Sequence, residues 1–279
     1  MIQKSYDNEV ALYLIPTPIG NLDDITLRAI KTLESVDVIF AEDTRETRKL
    51  LNYLKISKKI ISNHDYNEKS NCEKLLSFLN KGHAVGLVSD RGTPIISDPG
   101  YNLVKVAIEN DYNVIALPGP TALIPALIAS GLEPLPFLFY GFLNKKENLK
   151  IKELEKLKYL EYTIIFYESS HRLLLTLENI LKVFGNRKIS ISREISKKFE
   201  EIYRGETKEI IKILNNVKGE VVIVVEKNKK ETKYDNLSII EHINLYLKEG
   251  LDTKEAIKKV AKERRISKNE VYKVYHEID

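Results

Sequence analysis

The stretch Val85 to Tyr101, VGLVSDRGTPIISDPGY, holds the side chains best suited to gripping a small molecule. Asp90 offers two acceptor oxygens, and Gly92 lets the backbone pass close to a ligand. A short apolar strand, V-G-L-V, breaks here into small, polar and Gly/Pro residues before a helix, with Asp98 placed to cap it and Pro99 in its first turn. Open α/β sheets bind ligands beyond the carboxyl ends of their strands, in loops of this kind. A plain strand-to-helix connection has the same look. Two further loops repeat the design: Pro16-Thr17-Pro18-Ile19-Gly20-Asn21 after Val10–Ile15, and Leu117-Pro118-Gly119-Pro120-Thr121-Ala122 after Asn113–Leu117. The predicted helix Ala122–Ala129 turns its first amides toward the last loop, an arrangement that suits a carboxylate.

Other chemistries lack their residues. No G-x-x-x-x-G-K-[ST] loop, no G-x-G-x-x-G and no G-x-S-x-G appears, which argues against common NTPases, dinucleotide enzymes and serine hydrolases. Cys72 is the one cysteine, so no internal disulfide can form, and the scattered histidines offer no metal constellation; no metal is expected. The N-terminal apolar run is too short for a signal core or a membrane span, so a cytoplasmic location is expected.

Strand and helix patterns must position these loops. Val10 to Leu117 alternates β and α: apolar runs at Val36–Ala41, Lys59–Ser62 and Asn113–Leu117 are separated by helical spacings such as Ile25, Ala29, Ile30 and Leu33. The alternation predicts a largely parallel sheet with helices on both faces. Beyond Pro136 strands outnumber helices, which predicts a mixed sheet of different build. Helices are expected near Lys145–Lys158, Glu168–Leu181 and Lys208–Leu214, with strands at Pro136–Phe142, Tyr162–Tyr167, Ile189–Arg193, Glu200–Tyr203 and Glu220–Val225. From Lys227 the chain turns polar and linker-like, then carries three short helical patterns, the third opened by a Ser267/Glu270 capping box. The expected division is 1–117, an N-terminal α/β domain; 118–228, a C-terminal α/β domain; and 236–279, a small helix-turn-helix-like tail.

A chain of 279 residues is long enough for two cores. Its formal charge of +4 does not by itself demand nucleic acid. Basic clusters at Lys145-Lys146-Lys150-Lys152 and Arg187-Lys188-Arg193-Lys197-Lys198 are solvated helix faces or phosphate contacts. The tail from Lys227 holds 13 basic and 10 acidic residues, too weak a bias to decide between nucleic-acid docking and simple packing. Taken alone, the residues point to a small-molecule enzyme with a nucleic-acid side.

In order along the chain, LYLIPTPIGN, AEDTR, VSDRGTPIISDPGY, ALPGPTA, FYESSHR, SREISKKFEEIYRGE and GEVVIVVE resemble the small-subunit ribosomal RNA 2′-O-methyltransferase I family. That family methylates a cytidine ribose in 16S RNA and belongs to the tetrapyrrole methylase superfamily. The likeness runs from about Val10 to Val225, with two departures: the family usually has alanine where Arg91 stands and proline where Ser170 stands.

The resemblance implies the two-domain tetrapyrrole methylase-like fold of class III methyltransferases, with a small C-terminal helical module. It implies S-adenosyl-L-methionine in the cleft between the domains, meeting Pro16, Asp90, Arg91, Gly92, Thr93, Pro94, Thr121, Ala122 and Tyr167, together with Arg193 and Glu220. It implies a homodimer and, as partner, small-subunit RNA or the assembled 30S subunit. For the proton of the attacking ribose hydroxyl the candidates are Asp43, Glu168 and His171, each beside a predicted strand end; a helix cap or helix-start ion pair is the alternative role for each. Arg45 and Arg172 are candidates for RNA phosphates. Two other functions fit parts of the pattern: a methyltransferase of porphyrin-like small molecules, and a non-catalytic RNA-binding assembly factor. The basic segments and the AEDTR and TPIGN motifs favour the RNA enzyme.

Overall fold

Alternation within buried strands decides which side chains meet on each face of the first sheet. The computed structural model describes residues 3, 10–64, 66–214, 217–229, 234, 237–264 and 266–276. Strands β1 (Ala11–Leu14), β2 (Val38–Ala41), β3 (Lys59–Ser62), β4 (Val85–Val88) and β5 (Asn113–Ala116) form one parallel sheet in the order β3-β2-β4-β1-β5. Ala11, Ile39 and Ala41 point to one face, where α1 (Leu27–Ser35) and α2 (Thr44–Tyr53) bring Ala29, Leu33 and Leu51. Leu12, Val38 and Phe40 point to the other, against Leu75 and Leu79 of α3 (Glu68–Leu79) and Leu103 and Ala107 of α4 (Tyr101–Glu109). With both faces covered, β2 and β4 are apolar throughout, as burial on two sides demands.

One start differs from the sequence expectation. Asp98 and Pro99 do not open α4; the helix begins at Tyr101 with Gly100 at its N-cap. A buried carboxylate from α3 does the capping: Glu68 Oε1 accepts the amides of Gly100 (2.8 Å) and Asn102 (2.9 Å), and Oε2 accepts the Asn102 side chain at 2.8 Å. Gly100 sits at φ +138°, where a Cβ would also stand 2.7 Å from Leu87. Only glycine fits there.

The second sheet contains β6 (Phe137–Phe142), β7 (Thr163–Ser169), β8 (Lys188–Arg193), β9 (Glu201–Glu206) and β10 (Glu220–Val225), ordered β6-β7-β10-β8-β9. Only β6 and β7 pair in parallel, so the sheet is mixed. Its outer face packs on α6 (Glu147–Leu157), α7 (Ser170–Phe184) and α8 (Thr207–Ile213). Its inner face carries α5 (Leu123–Ala129), whose Ala126 and Leu127 meet Ile165, Val222 and Val224.

Helices α9 (Ile239–Lys248), α10 (Thr253–Arg264) and α11 (Lys268–His276) form a third cluster around Ile243, Tyr246, Ile257, Val260 and Val271. Ser238 and Glu241 make a reciprocal capping box at the start of α9, and the Glu270 amide donates to Ser267 Oγ at 3.2 Å. The polar stretch expected to link this cluster lies largely outside the described residues, as does Ile278.

Candidate active site between the two sheets

Three loops at the carboxyl ends of β1, β4 and β5 are knit together by backbone and side-chain contacts. Thr17 and Gly92 exchange amide–carbonyl bonds, both 2.9 Å, so the Gly92 N–H is spent on Thr17 rather than on a ligand. Thr93 Oγ1 donates to the Pro120 carbonyl at 3.0 Å. Pro16 packs directly on Gly119, where a Cβ would lie only 2.6 Å from the proline's own. Pro16 and Pro94 are buried and brace these loops.

Between the loops and the inner face of the second sheet lies a cleft of about 750 Å³. That is ample for a molecule of nucleoside size. Asp90, Gly92, Thr93, Ile96 and Asp98 form one wall, joined by Glu42 and Glu46 from the end of β2 and the start of α2. Thr121, Ala122, Tyr167 and Val222 form the other, with Ile19, Phe142 and Ile195 adding apolar surface. His171 stands exposed at the rim.

Strand alternation explains the fates of Tyr167 and Glu168. Ile165 and Tyr167 face α5 and the cleft, whereas Ile164 and Phe166 face the outer core. Tyr167 is hydrogen-bonded to Thr121 and to the Leu123 amide, and burial pushes its hydroxyl up in pKa. The first amide of α5 therefore meets a phenol. Glu168 turns to the outer side with a fully buried side chain. It holds an ion pair with Arg172, accepts Thr176 Oγ1 at 2.7 Å and the Ser169 amide at 2.8 Å, and lies 3.7 Å from the buried Lys150 ammonium. Its lone pairs are taken, so Glu168 is a structural anion rather than a base for a substrate in the cleft. Arg172 shares that role: its side chain is drawn inward to Glu168, not out to phosphate.

Asp43 is likewise occupied. It is the N-cap of α2, accepts the Arg45 amide at 2.8 Å and pairs with the Arg45 guanidinium at 2.7 Å, which holds its carboxyl down to about 2. A carboxylate so weakly basic is a poor proton acceptor. Arg45 itself is 83% exposed, open to an outside anion. The Asp43 backbone is tied to the central loop, its amide donating to Asp90 Oδ1 at 2.8 Å.

A polar bridge crosses the cleft mouth. Arg91 pairs with Glu220 at 2.6 Å, and Lys197 joins Glu220 (3.1 Å) and Glu194 (2.9 Å). Lys197 also lies over Gly20, and Ser196 bonds Asp24, so the β8–β9 loop clasps the loop after β1. Arg193 is turned from the cleft toward the Phe199 carbonyl and Glu201.

Of the residues expected from the sequence, Asp90, Arg91, Gly92, Thr93, Thr121, Ala122, Tyr167, Glu168, His171 and Glu220 border the cleft; Pro16, Asp43, Arg45, Pro94, Arg172 and Arg193 do not. Asp98, Glu42 and Lys197 were missed. Asp98 reads as a helix cap in the sequence, and only Glu68, thirty positions earlier in the chain, overrides that reading.

Comparison with known proteins sharpens the picture. The family of tetrapyrrole (corrin/porphyrin) methylases matches residues 11–211. The chain is 46% identical over 273 residues to the ribosomal RNA small subunit methyltransferase I of Bacillus subtilis, covering 95% of this chain and 94% of that one. It is 44% identical over 285 residues to the protein of the same name from Halalkalibacterium halodurans, covering 99% of both. Among solved structures, the methyltransferase CobJ shares the fold, with a TM-score of 0.59 at 18% identity over 80% of this chain and 97% of that one.

Proposed function

Because this chain belongs to the tetrapyrrole methylases, and among them to the ribosomal RNA small subunit methyltransferase I family, we propose that it methylates the 2′-oxygen of a cytidine ribose in 16S ribosomal RNA, with S-adenosyl-L-methionine in the cleft between the sheets. The observation that carries this reading is the cleft itself, built from the same loops that hold the family's motifs. Its residues suit the cofactor: an apolar lining accepts an adenosine, and the carboxylates of Glu42, Asp90 and Asp98 complement sulfonium and ammonium charge. Asp90, Gly92, Thr93, Thr121, Ala122 and Tyr167 would hold it, with Pro16 and Pro94 bracing their loops from behind. Arg91, Lys197 and Glu220 would close over it.

When bound, the cofactor supplies an activated methyl on a sulfonium leaving group. The chain's own work is alignment, which can lower the barrier substantially by fixing the ribose oxygen in line, and removal of water from a walled cleft. The acidic wall repels phosphate, so the RNA backbone would lie outside it, past Arg45 and the exposed side of α7 near His171. Within the cytoplasm the partner would be small-subunit RNA or the assembled 30S subunit. A homodimer would use the outer face of α5, where Ile124 and Ile128, four positions apart, are 41% and 72% exposed. No helix among the described residues is long and apolar enough to cross a membrane. We place the domain division at 1–117, 118–228 and 236–279.

The test is methyl transfer from labelled S-adenosyl-L-methionine to unmodified small subunits and, in parallel, to naked 16S RNA. The product is mapped by its resistance to alkaline cleavage. One resistant cytidine is expected. Transfer to a porphyrin-like acceptor instead, or tight cofactor binding with no transfer to any acceptor, would replace this reading by a small-molecule enzyme or by an RNA-binding assembly factor.

A further inference from the structure

Resting on that reading, we propose that Phe142 is the platform on which the base of the target nucleotide stacks when its ribose enters the cleft. Strand register decides which way this ring points. β6 and β7 run parallel, with Phe137 opposite Thr163, Leu138 opposite Ile164 and Phe139 opposite Ile165. Continued unbroken, that register would set Phe142 opposite Glu168, whose side chain is buried on the outer side. A bulge intervenes between Phe139 and Gly141, and Phe142 stands opposite Tyr167 instead. One extra residue in a strand turns every later side chain to the other face. Phe142 therefore lines the cleft beside Tyr167, while Leu143 after it enters the outer core. Gly141 makes the shift at φ +83°, a conformation that favours glycine.

A phenyl ring turned inward is ordinarily covered, and this one is not. Phe142 is 52% exposed. Tyr167 meets it edge-on, with ring centroids 5.7 Å apart, and Phe139 braces Tyr167 in turn at 4.8 Å. Because the Tyr167 hydroxyl is tied to Thr121 and the Leu123 amide, the Phe142 ring has a fixed support on one side and open surface on the other. Three rings line the cleft among the described residues. Tyr167 is committed to those bonds, and His171 is a polar ring in the first turn of α7, 3.5 Å from Ser169 Oγ. Phe142 is the one apolar, exposed ring of the three. Other exposed rings, such as Tyr101 and Phe199, lie outside the cleft.

The occupant follows from how a nucleotide is joined together. A 2′-oxygen reaches a methyl group inside a walled cleft only when its nucleotide is splayed out, and its base then loses its stacking partners. Glu42, Glu46 and Asp90 on the facing wall repel phosphate but not a neutral pyrimidine. A ring held in place by the fold restores the lost stacking. Phe142 touches the base rather than the reacting atoms, so it is a positioning residue that sets where the ribose oxygen lies.

The experiment measures methyl transfer to whichever RNA form the unaltered protein methylates, for that protein and for Phe142→Ala, Phe142→Leu, Phe142→Tyr and His171→Ala. S-adenosylhomocysteine affinity is measured by calorimetry on each. Phe142→Ala should lower kcat/KM for the RNA by about 10- to 100-fold, the effect of losing one stacked base. Phe142→Tyr should stay within about threefold of the unaltered protein, whereas Phe142→Leu, apolar but without a π-face, should fall close to Phe142→Ala. Binding of S-adenosylhomocysteine should change by less than about threefold throughout, which also shows that the cleft is folded. Transfer by Phe142→Ala within about threefold of the unaltered protein overturns the proposal, as does a large loss in His171→Ala in its place. A large loss of S-adenosylhomocysteine affinity in Phe142→Ala overturns it too, because the ring would then hold the cofactor. Should Phe142→Ala not fold, the other pair decides: Phe142→Leu as active as Phe142→Tyr means mere apolar filling and overturns stacking. Absence of transfer by the unaltered protein to any RNA form would instead refute the substrate reading, and this inference with it.

Discussion

Asp98 and Asp43 lie on neighbouring loops yet respond to pH in opposite senses. Asp98 has a folded value of about 7 against 3.8 for the free side chain, so between those values the folded state holds the extra proton. Stability from this group therefore falls as pH rises from about 4 to about 7, and above that the ionised carboxylate burdens the fold. Asp43 is depressed to about 2, so its contribution is present above 3.8 and is lost as pH falls through about 2. Asp98→Asn should accordingly raise the melting temperature at about pH 8 and leave it unchanged at about pH 4. Thermal unfolding without cofactor reads this directly, and a loss of stability at the higher pH would contradict it. Glu168 follows another logic. Its charge is buried with Lys150, whose ammonium donates to Thr176 Oγ1 at 2.6 Å and which burial pushes down in pKa. Lys150→Met leaves the Glu168–Arg172 pair short of one counter-charge and Thr176 short of a partner. A destabilisation of about 3 kcal/mol in denaturant unfolding is expected.

Elements were legible from sequence wherever periodicity alone sets them. Continuous apolar runs in β2 and β4 and the 3.6-residue spacing of α1 identify the parallel sheet without ambiguity. The loops that matter were legible as well, because prolines and glycines mark strand ends. What each side chain does in those loops was not. Glu168 in YESSHR looks like an active-site acid, and only strand alternation beside a lysine 18 positions earlier sends it to the far face. Asp98 lies in a bend made by Ile95 and Ser97, which carry no mark of positive φ. The three C-terminal helices were legible as a unit because their apolar positions satisfy one another. Val260→Ala in α10 should cost about 1–2 kcal/mol and speed hydrogen exchange in α9–α11 while leaving both sheets protected. Loosening of the sheets by the same change would show that the tail is not a separate unit.

At the scale of the whole molecule, the two sheets have separate cores, and their loops meet across the cleft through Arg91, Lys197 and Glu220. The Arg91–Glu220 pair is largely exposed, so it is worth little and is screened by salt. Glu220→Gln should change global stability by less than about 0.5 kcal/mol. It should weaken S-adenosylhomocysteine binding modestly and flatten the salt dependence of that binding, as calorimetry at low and high salt would show. The connectivity has a larger consequence. The chain leaves the first sheet after β5, enters the second at β6, and among the described residues no strand from one half joins the other's ladder. A nick in the largely exposed segment 131–135 would break a covalent link without severing a strand pairing, and would leave α5 on the first piece to re-dock on the inner face of the second sheet. The two pieces should then recombine when co-expressed, with the cleft ligand acting as their adhesive. By mass action, ligand at a hundredfold excess over its dissociation constant would add about 2.7 kcal/mol to their association. The protein is thus organised as two complementary fragments that share one cleft.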